Sequence, residues 1–150
     1  LDAMLGWVGG ITHIEQLIGQ RLSMSFLLGY LLAPIAWIIG VPWQDATTVG
    51  SLIGQKIVLN EFVAYLQLAE IVNGKIAGTT LTDQGRLVAT YALCGFANFS
   101  SIAIQIGGIG GIAPERRADL ARLGLRAVLG GSIATFMTAT IAGVLTVLGA

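Results

Sequence analysis

The chain has 150 residues, of which 55% are hydrophobic, 11% are charged and 21 are glycine, and its mean hydropathy is +0.81. A soluble domain carries about 25% charged residues and about 7% glycine, so this composition excludes disorder and leaves too little charge for a soluble surface. The eight basic and eight acidic residues cancel, which excludes a nucleic-acid-binding field, while one cysteine and one histidine exclude a disulfide framework and a histidine-rich metal site.

Three long segments carry no charge: residues 22–44, 87–114 and 127–150, which are 23, 28 and 24 residues long. Each is long enough for a membrane helix, which needs about 20 apolar residues. The alternative is the buried core of a large soluble protein, but three such helices would leave almost no surface. We therefore predict an all-α integral membrane protein that crosses the bilayer several times, in the plasma (inner) membrane.

We expect residues 1–20 to be the end of a scaffold helix with its loop, and residues 21–150 to form one unit. That unit begins with a predicted helix over 22–40. A proline lies inside this helix, and Gly40 and Pro42 end it. Aromatic residues suited to the lipid headgroup level favour an interfacial position for it: Tyr30, Trp37 and Trp43.

The stretch 45–73 predicts a re-entrant helical hairpin. Asp45 is typical of a helix N-cap. Lys56 and Glu61 then divide the stretch into apolar halves of about ten to twelve residues, each too short for a hydrocarbon core of about 30 Å. Two short halves with polar residues between them are tolerated at membrane depth where they are buried in protein or line a wet cavity.

A broken transmembrane helix is predicted over 84–112. The uncharged run 87–114 would measure about 42 Å as one helix, which is longer than the bilayer core requires. The motif GFANFSS at 95–101 places a glycine, an asparagine and two serines in the middle of the run. Such residues favour a break in the helix that faces a cavity.

The last predicted element is a transmembrane helix over 114–149. It opens with the most basic segment of the chain, 114–126, in which Asp119 can pair with Arg122. The positive-inside rule predicts that this segment is cytoplasmic. A single crossing by the following residues then places the C-terminus outside.

Glu61 is the strongest candidate for a functional residue. An acidic side chain at the centre of a membrane helix costs about 2.5 to 3.5 kcal/mol, so a carboxylate within IVLNEFVAY requires a reason. One interpretation is a ligand carboxylate at a hairpin tip that accepts hydrogen bonds from hydroxyl groups or helps to hold a cation. The alternative is a structural ion pair with Lys56, five residues away.

Asn98, Ser100 and Ser101 form a second candidate group. They are interpreted either as a substrate site on a broken helix or as polar contacts between helices. Phe96 could present its ring to a flat, conjugated ligand. We expect Gln105 to be a packing residue and Cys94 to be buried and unreactive.

The chain has no constellation of acid, base and nucleophile, so we predict that it is not an enzyme.

These residues carry a resemblance to a known family. The segment GQKIVLNEFVAY at 54–65 resembles the signature of concentrative nucleoside transporters at every specified position. GFANFSSI at 95–102 is similar to the broken helix of that family, and GYLLAPIAW at 29–37 is similar to the segment that precedes its second hairpin.

The resemblance implies a cation-coupled symporter of nucleosides, driven by sodium or in some members by protons, and assembled as a homotrimer. It assigns substrate-binding roles to four residues of this chain. Glu61 would bind the ribose hydroxyls, Phe96 would lie against the base, and Asn98 and Ser101 would face the ribose.

The likeness covers the second of the two inverted repeats of that family. The first hairpin, with its nucleobase-binding residues and most of its sodium ligands, has no counterpart here, so no metal ligand and no bound cofactor are assigned to this chain. We expect it to supply the ribose-binding half of a sodium-coupled nucleoside symporter. The alternative is a structural or assembly subunit of a membrane complex, in which Lys56 and Glu61 form a buried ion pair.

Overall fold

The computed structural model describes residues 4–7 and 23–149. Residues 4–7 are helical, and the rest of the predicted scaffold segment 1–20 lies outside the described residues. In residues 23–149 the order of elements is α1 (Met24–Ile38), α2 (Trp43–Val58), α3 (Glu61–Val72), α4 (Asp83–Leu93), α5 (Phe99–Ile112), a 3₁₀ helix (Pro114–Arg116) and α6 (Arg117–Val147).

The helix bounds agree with the predicted ranges to within two residues. The helix expected over 22–40 corresponds to α1, and the stretch 45–73 corresponds to α2 and α3, with α2 starting two residues earlier, at Trp43. The stretch 84–112 corresponds to α4, which starts one residue earlier at Asp83, and α5, with the break at residues 94–98. The final stretch 114–149 contains the 3₁₀ helix and α6. The prediction of an all-helical chain is therefore confirmed for the described residues.

Helix α6 is the long apolar helix of the chain. Together with the 3₁₀ helix it covers Pro114–Val147, 34 residues that are long and apolar enough to cross a membrane. Helices α1 and α2 pass the same test as a pair, but they are bent by 118° where they meet. Gly40 lies at this bend with φ of +104°, a left-handed conformation that favours glycine.

Helix α2 is the centre of the packing. It contacts α1, α3, α4 and α5, while α6 packs along α4 and α5. The backbones of α1 and α2 approach so closely that a Cβ on Gly50 would lie 2.6 Å from the carbonyl oxygen of Gly29. The core follows from this arrangement, since Val49, Leu52 and Ile53 of α2 are fully buried.

Asp45 has a different role from the predicted N-cap. Helix α2 begins at Trp43, after Pro42, and Asp45 lies in its first turn. The Asp45 carboxylate is buried and accepts hydrogen bonds from Thr82, from the backbone N at 3.0 Å and from Oγ1 at 2.6 Å. Because Thr82 is the N-cap of α4, Asp45 ties the first turn of α2 to the first turn of α4.

In the basic segment, the predicted pair between Asp119 and Arg122 is present at a long distance. Asp119 Oδ1 lies 4.0 Å from Arg122, while Asp119 Oδ2 accepts a 2.7 Å hydrogen bond from Arg116. Pro114 opens the 3₁₀ helix, as a residue without a backbone N–H can at a helix start.

The tie between α2 and α4 gives the first testable prediction. Asp45→Ala leaves the Thr82 backbone N–H without its buried partner, so we expect the free energy of unfolding to fall by about 2 to 3 kcal/mol. The measurement is chemical unfolding of the full-length protein in detergent. Asp83→Ala is the matched control, because Asp83 is also acidic and in the first turn of a helix, but its side chain is 94% exposed. Equal losses in the two variants would contradict the buried tie.

Candidate functional site

Two breaks in the helices meet at the candidate site. The first is the turn at Leu59 and Asn60 between α2 and α3, and the second is the segment 94–98 between α4 and α5. Asn98 Nδ2 donates a 2.9 Å hydrogen bond to Glu61 Oε2, and Ser100 Oγ donates a 2.9 Å hydrogen bond to the Leu59 carbonyl oxygen. The structure thus brings together candidate residues that lie 37 positions apart in the sequence.

Each break ends at an asparagine that caps the next helix. Asn60 Oδ1 accepts a hydrogen bond of 3.0 Å from the backbone N of Val63, and Asn98 Oδ1 accepts one of 2.7 Å from the backbone N of Ser101. Asparagine is among the strongest N-cap residues because its side chain satisfies an N–H of the first turn that has no helical partner. Both helices can therefore start anew in the interior of the protein.

Glu61 lies where two helix N-termini converge. It is the first residue of α3, and it contacts Asn98, the N-cap of α5. The positive ends of two helix dipoles and the Asn98 amide therefore all favour a negative charge at this point. Within the described residues, Oε1 of Glu61 has no hydrogen-bond partner, so this oxygen can accept hydrogen bonds from a ligand.

Asn98 also bonds Ser101 at the start of α5. Its side chain is 1% exposed, and Oδ1 also accepts a 2.9 Å hydrogen bond from Ser101 Oγ. Ser101 is buried as well, and its hydroxyl proton is engaged by Asn98. The Ser101 oxygen keeps its capacity to accept a hydrogen bond from a ligand.

Phe96 stands apart from this network. It lies within the second break, and 75% of it is exposed, so its ring faces remain open to a ligand. The ring borders a cavity of about 70 Å³ between α5 and α6, which Ser101 and Gln105 also line.

Gln105 was expected to be a packing residue, but it contributes to this cavity. The four-residue spacing from Ser101 to Gln105 places the two on one face of α5, and this spacing is the sequence signal that could have identified Gln105 as a cavity residue.

Cys94, predicted to be buried, is exposed. It follows the last residue of α4, where the chain leaves the helix and loses the cover of its neighbours.

The alternative ion pair between Lys56 and Glu61 does not form. In the part of the chain that the structure describes, the salt bridges join Arg86 to Asp83 and Asp119 to two arginines. Glu61 bonds Asn98 instead, and Lys56 Nζ has no hydrogen-bond partner among the described residues. Lys56 belongs to the last turn of α2, whereas Glu61 begins the next helix, α3.

Among residues 4–7 and 23–149, no group of three or more His, Cys, Asp or Glu side chains could hold a metal ion. What the described residues place at the site is one carboxylate that takes part in hydrogen bonding, with the Phe96 ring in the adjoining break.

Comparison with known proteins identifies the family of this chain. The family model for "Na+ dependent nucleoside transporter C-terminus" matches residues 1–143. The chain belongs to this family, the concentrative nucleoside transporters. The resemblance seen in the sequence is thus confirmed, and so is the prediction that the chain is not an enzyme, since the family consists of integral membrane transporters.

Several relatives share this similarity. The chain is 50% identical over 138 residues to the uncharacterized transporter YutK of Bacillus subtilis, covering 92% of this chain and 32% of that protein. It is 48% identical over 124 residues to the putative nucleoside permease NupX of Escherichia coli, covering 83% and 29%. It is 38% identical over 154 residues to sodium/nucleoside cotransporter 1 of Mus musculus, covering 97% and 23%.

A solved transporter, CNTnw in an inward-facing substrate-bound state, superimposes on 97% of this chain with a TM-score of 0.85 and 45% sequence identity. The fold of this chain is therefore that of the matching part of a concentrative nucleoside transporter. The chain spans 34% of the length of CNTnw, and about a quarter to a third of the three relatives described above.

The two asparagine caps give a second prediction. Asn60→Ala removes one capping bond from α3, and we expect it to lower the free energy of unfolding by about 1 kcal/mol. Asn98→Ala removes a cap, the bond to Glu61 and the partner of the Ser101 hydroxyl, so we expect a loss of about 2 to 3 kcal/mol. Chemical unfolding of the full-length protein in detergent measures both, and equal losses would show that the contact between the breaks contributes nothing.

Proposed function

We propose that the full-length protein carries nucleosides across the membrane together with sodium ions, and that this chain supplies the ribose-binding half of the site. The family is that of Na+-dependent nucleoside transporters. The observation that carries the proposal is the hydrogen bond between Glu61 and Asn98 at the meeting point of two helix breaks, which leaves the other carboxylate oxygen without a partner in the described part of the chain. Protons are the alternative coupling ion.

The chemistry of the site fits a ribose. A carboxylate accepts hydrogen bonds from hydroxyl groups strongly, and Glu61 would receive them from the ribose. Asn98 and Ser101 would complete the ribose contacts, and the open ring of Phe96 would lie against the base. A site whose polar groups stay unpaired without the sugar hydroxyls rejects solutes that lack them.

The architecture supports the same proposal. Helices α2 and α3 have 16 and 12 residues, about 24 and 18 Å, and neither spans a hydrocarbon core of about 30 Å. They would therefore form a re-entrant hairpin. Trp37 and Trp43 pack edge to face at the bend after α1 and are exposed, which suits an interfacial position for α1. Helices α4 and α5 would form the broken span and α6 the final one, together making one inverted repeat.

Orientation and assembly belong to the same proposal. The arginines of residues 114–126 would lie in the cytoplasm, and α6 would carry the C-terminus to the outside. The transporter would work as a homotrimer in the plasma membrane. No ion ligand is assigned to this chain, so the coupling cation would be held elsewhere in the full-length protein.

Uptake of radiolabelled uridine by the full-length transporter, with and without sodium, tests this function. Glu61→Gln weakens the hydrogen bonds to the sugar, and Asn98→Ala also removes the partner that positions Glu61. We expect each variant to reduce uptake at low uridine concentration by about 10-fold to 100-fold at unchanged surface expression. Glu70→Gln is the matched control, because Glu70 lies on the same helix, is exposed and is remote from the breaks.

A sugar analogue sharpens the assay. If Glu61 binds the ribose hydroxyls, 2′,3′-dideoxyuridine should compete weakly with uridine in the wild type, and Glu61→Gln should change its affinity very little. Normal uridine uptake in both Glu61→Gln and Asn98→Ala would overturn the site. Wild-type uridine uptake that is equal with and without sodium would argue for protons as the coupling ion.

A further inference from the structure

Lys56 is a charged residue that the proposed ribose site does not use. Its side chain is fully buried in the last turn of α2, and Nζ has no hydrogen-bond partner among residues 4–7 and 23–149. An ammonium group taken out of water costs several kcal/mol unless other groups compensate its charge. A fully buried lysine without a direct partner therefore requires a compensating environment.

That environment is built from three sources. The ring of Phe136 on α6 presents its face to Nζ, with 5.7 Å to the ring centroid, which is within the range of a cation–π contact. Lys56 itself lies in the last turn of α2, so the negative C-terminal end of that helix dipole is close to the ammonium group.

The third source is Glu61. Lys56 lies in the last turn of α2 and Glu61 is the first residue of α3, so the two residues flank the same two-residue turn, yet in the described residues they form no salt bridge. This separation has a chemical consequence, because a direct ion pair would occupy the carboxylate oxygens that a ligand needs. A cation held at a distance balances the charge of Glu61 and leaves its oxygens available.

We infer that Lys56 is a positioning residue of the Glu61 site, whose buried ammonium balances the carboxylate through space so that Glu61 can bind uncharged hydroxyl groups. The inference rests on the proposed function for the identity of the ligand, but the charge balance itself does not depend on the ligand. In a low-dielectric interior, an unbalanced carboxylate would be costly to keep ionised, and its value as an acceptor would fall.

The test uses the full-length transporter purified in detergent. Lys56→Met keeps the length of the side chain and removes its charge, so we expect the dissociation constant for uridine to rise by about tenfold or more. We also expect a lower melting temperature, because Glu61 loses its compensating charge. Lys75→Met, at an exposed position in the loop after α3, is the matched control and should change neither quantity.

The double variant Lys56→Met/Glu61→Gln separates charge balance from packing. If the two residues balance each other, Glu61→Gln alone leaves the ammonium uncompensated and lowers the melting temperature, whereas the double variant melts above both single variants. A double variant that is as unstable as the sum of the single changes would overturn the inference, as would unchanged uridine binding in Lys56→Met. Normal uridine binding in Glu61→Gln would instead overturn the ribose site while leaving the melting-temperature comparison valid.

Discussion

The structure depends on how two interrupted helices satisfy their backbone at the point of interruption. A chain that stops and restarts a helix in the interior exposes N–H groups that no helical carbonyl can reach. In this protein Asn60 and Asn98 supply the missing acceptors, and Asn98 uses its amide to contact Glu61 across the two breaks. The groups that stabilise the breaks are therefore the same groups that form the candidate site.

The surrounding packing fixes where those breaks lie. Close approach at Gly29 and Gly50 brings α2 against α1, and the bonds from Asp45 to Thr82 set the starts of α2 and α4 side by side. At the other end of α2, the Leu59 carbonyl oxygen accepts the hydrogen bond from Ser100, and this bond joins the two breaks.

Much of this could be predicted from the sequence, because the signals are local. Uncharged runs, the glycine and proline after α1, and the polar motif at 95–101 each report on a few neighbouring residues, and the helices agree with the predicted ranges to within two residues. Contacts between distant segments carry no such signal. The pattern around Asp45 is typical of an N-cap, and only the fold shows that its carboxylate bonds Thr82. Likewise, the five-residue spacing of Lys56 and Glu61 allows an ion pair, but in the folded chain Glu61 bonds Asn98 instead.

The same topology separates the two charges of the hairpin. Each break creates one helix C-terminus and one helix N-terminus. Lys56 lies in the C-terminal turn of α2, and the N-terminal ends of α3 and α5 lie by Glu61. Helix dipoles favour a cation at a C-terminal end and an anion at N-terminal ends. The turn between α2 and α3 thus separates a buried cation from a carboxylate that is stabilised by two helix N-termini and by the Asn98 amide.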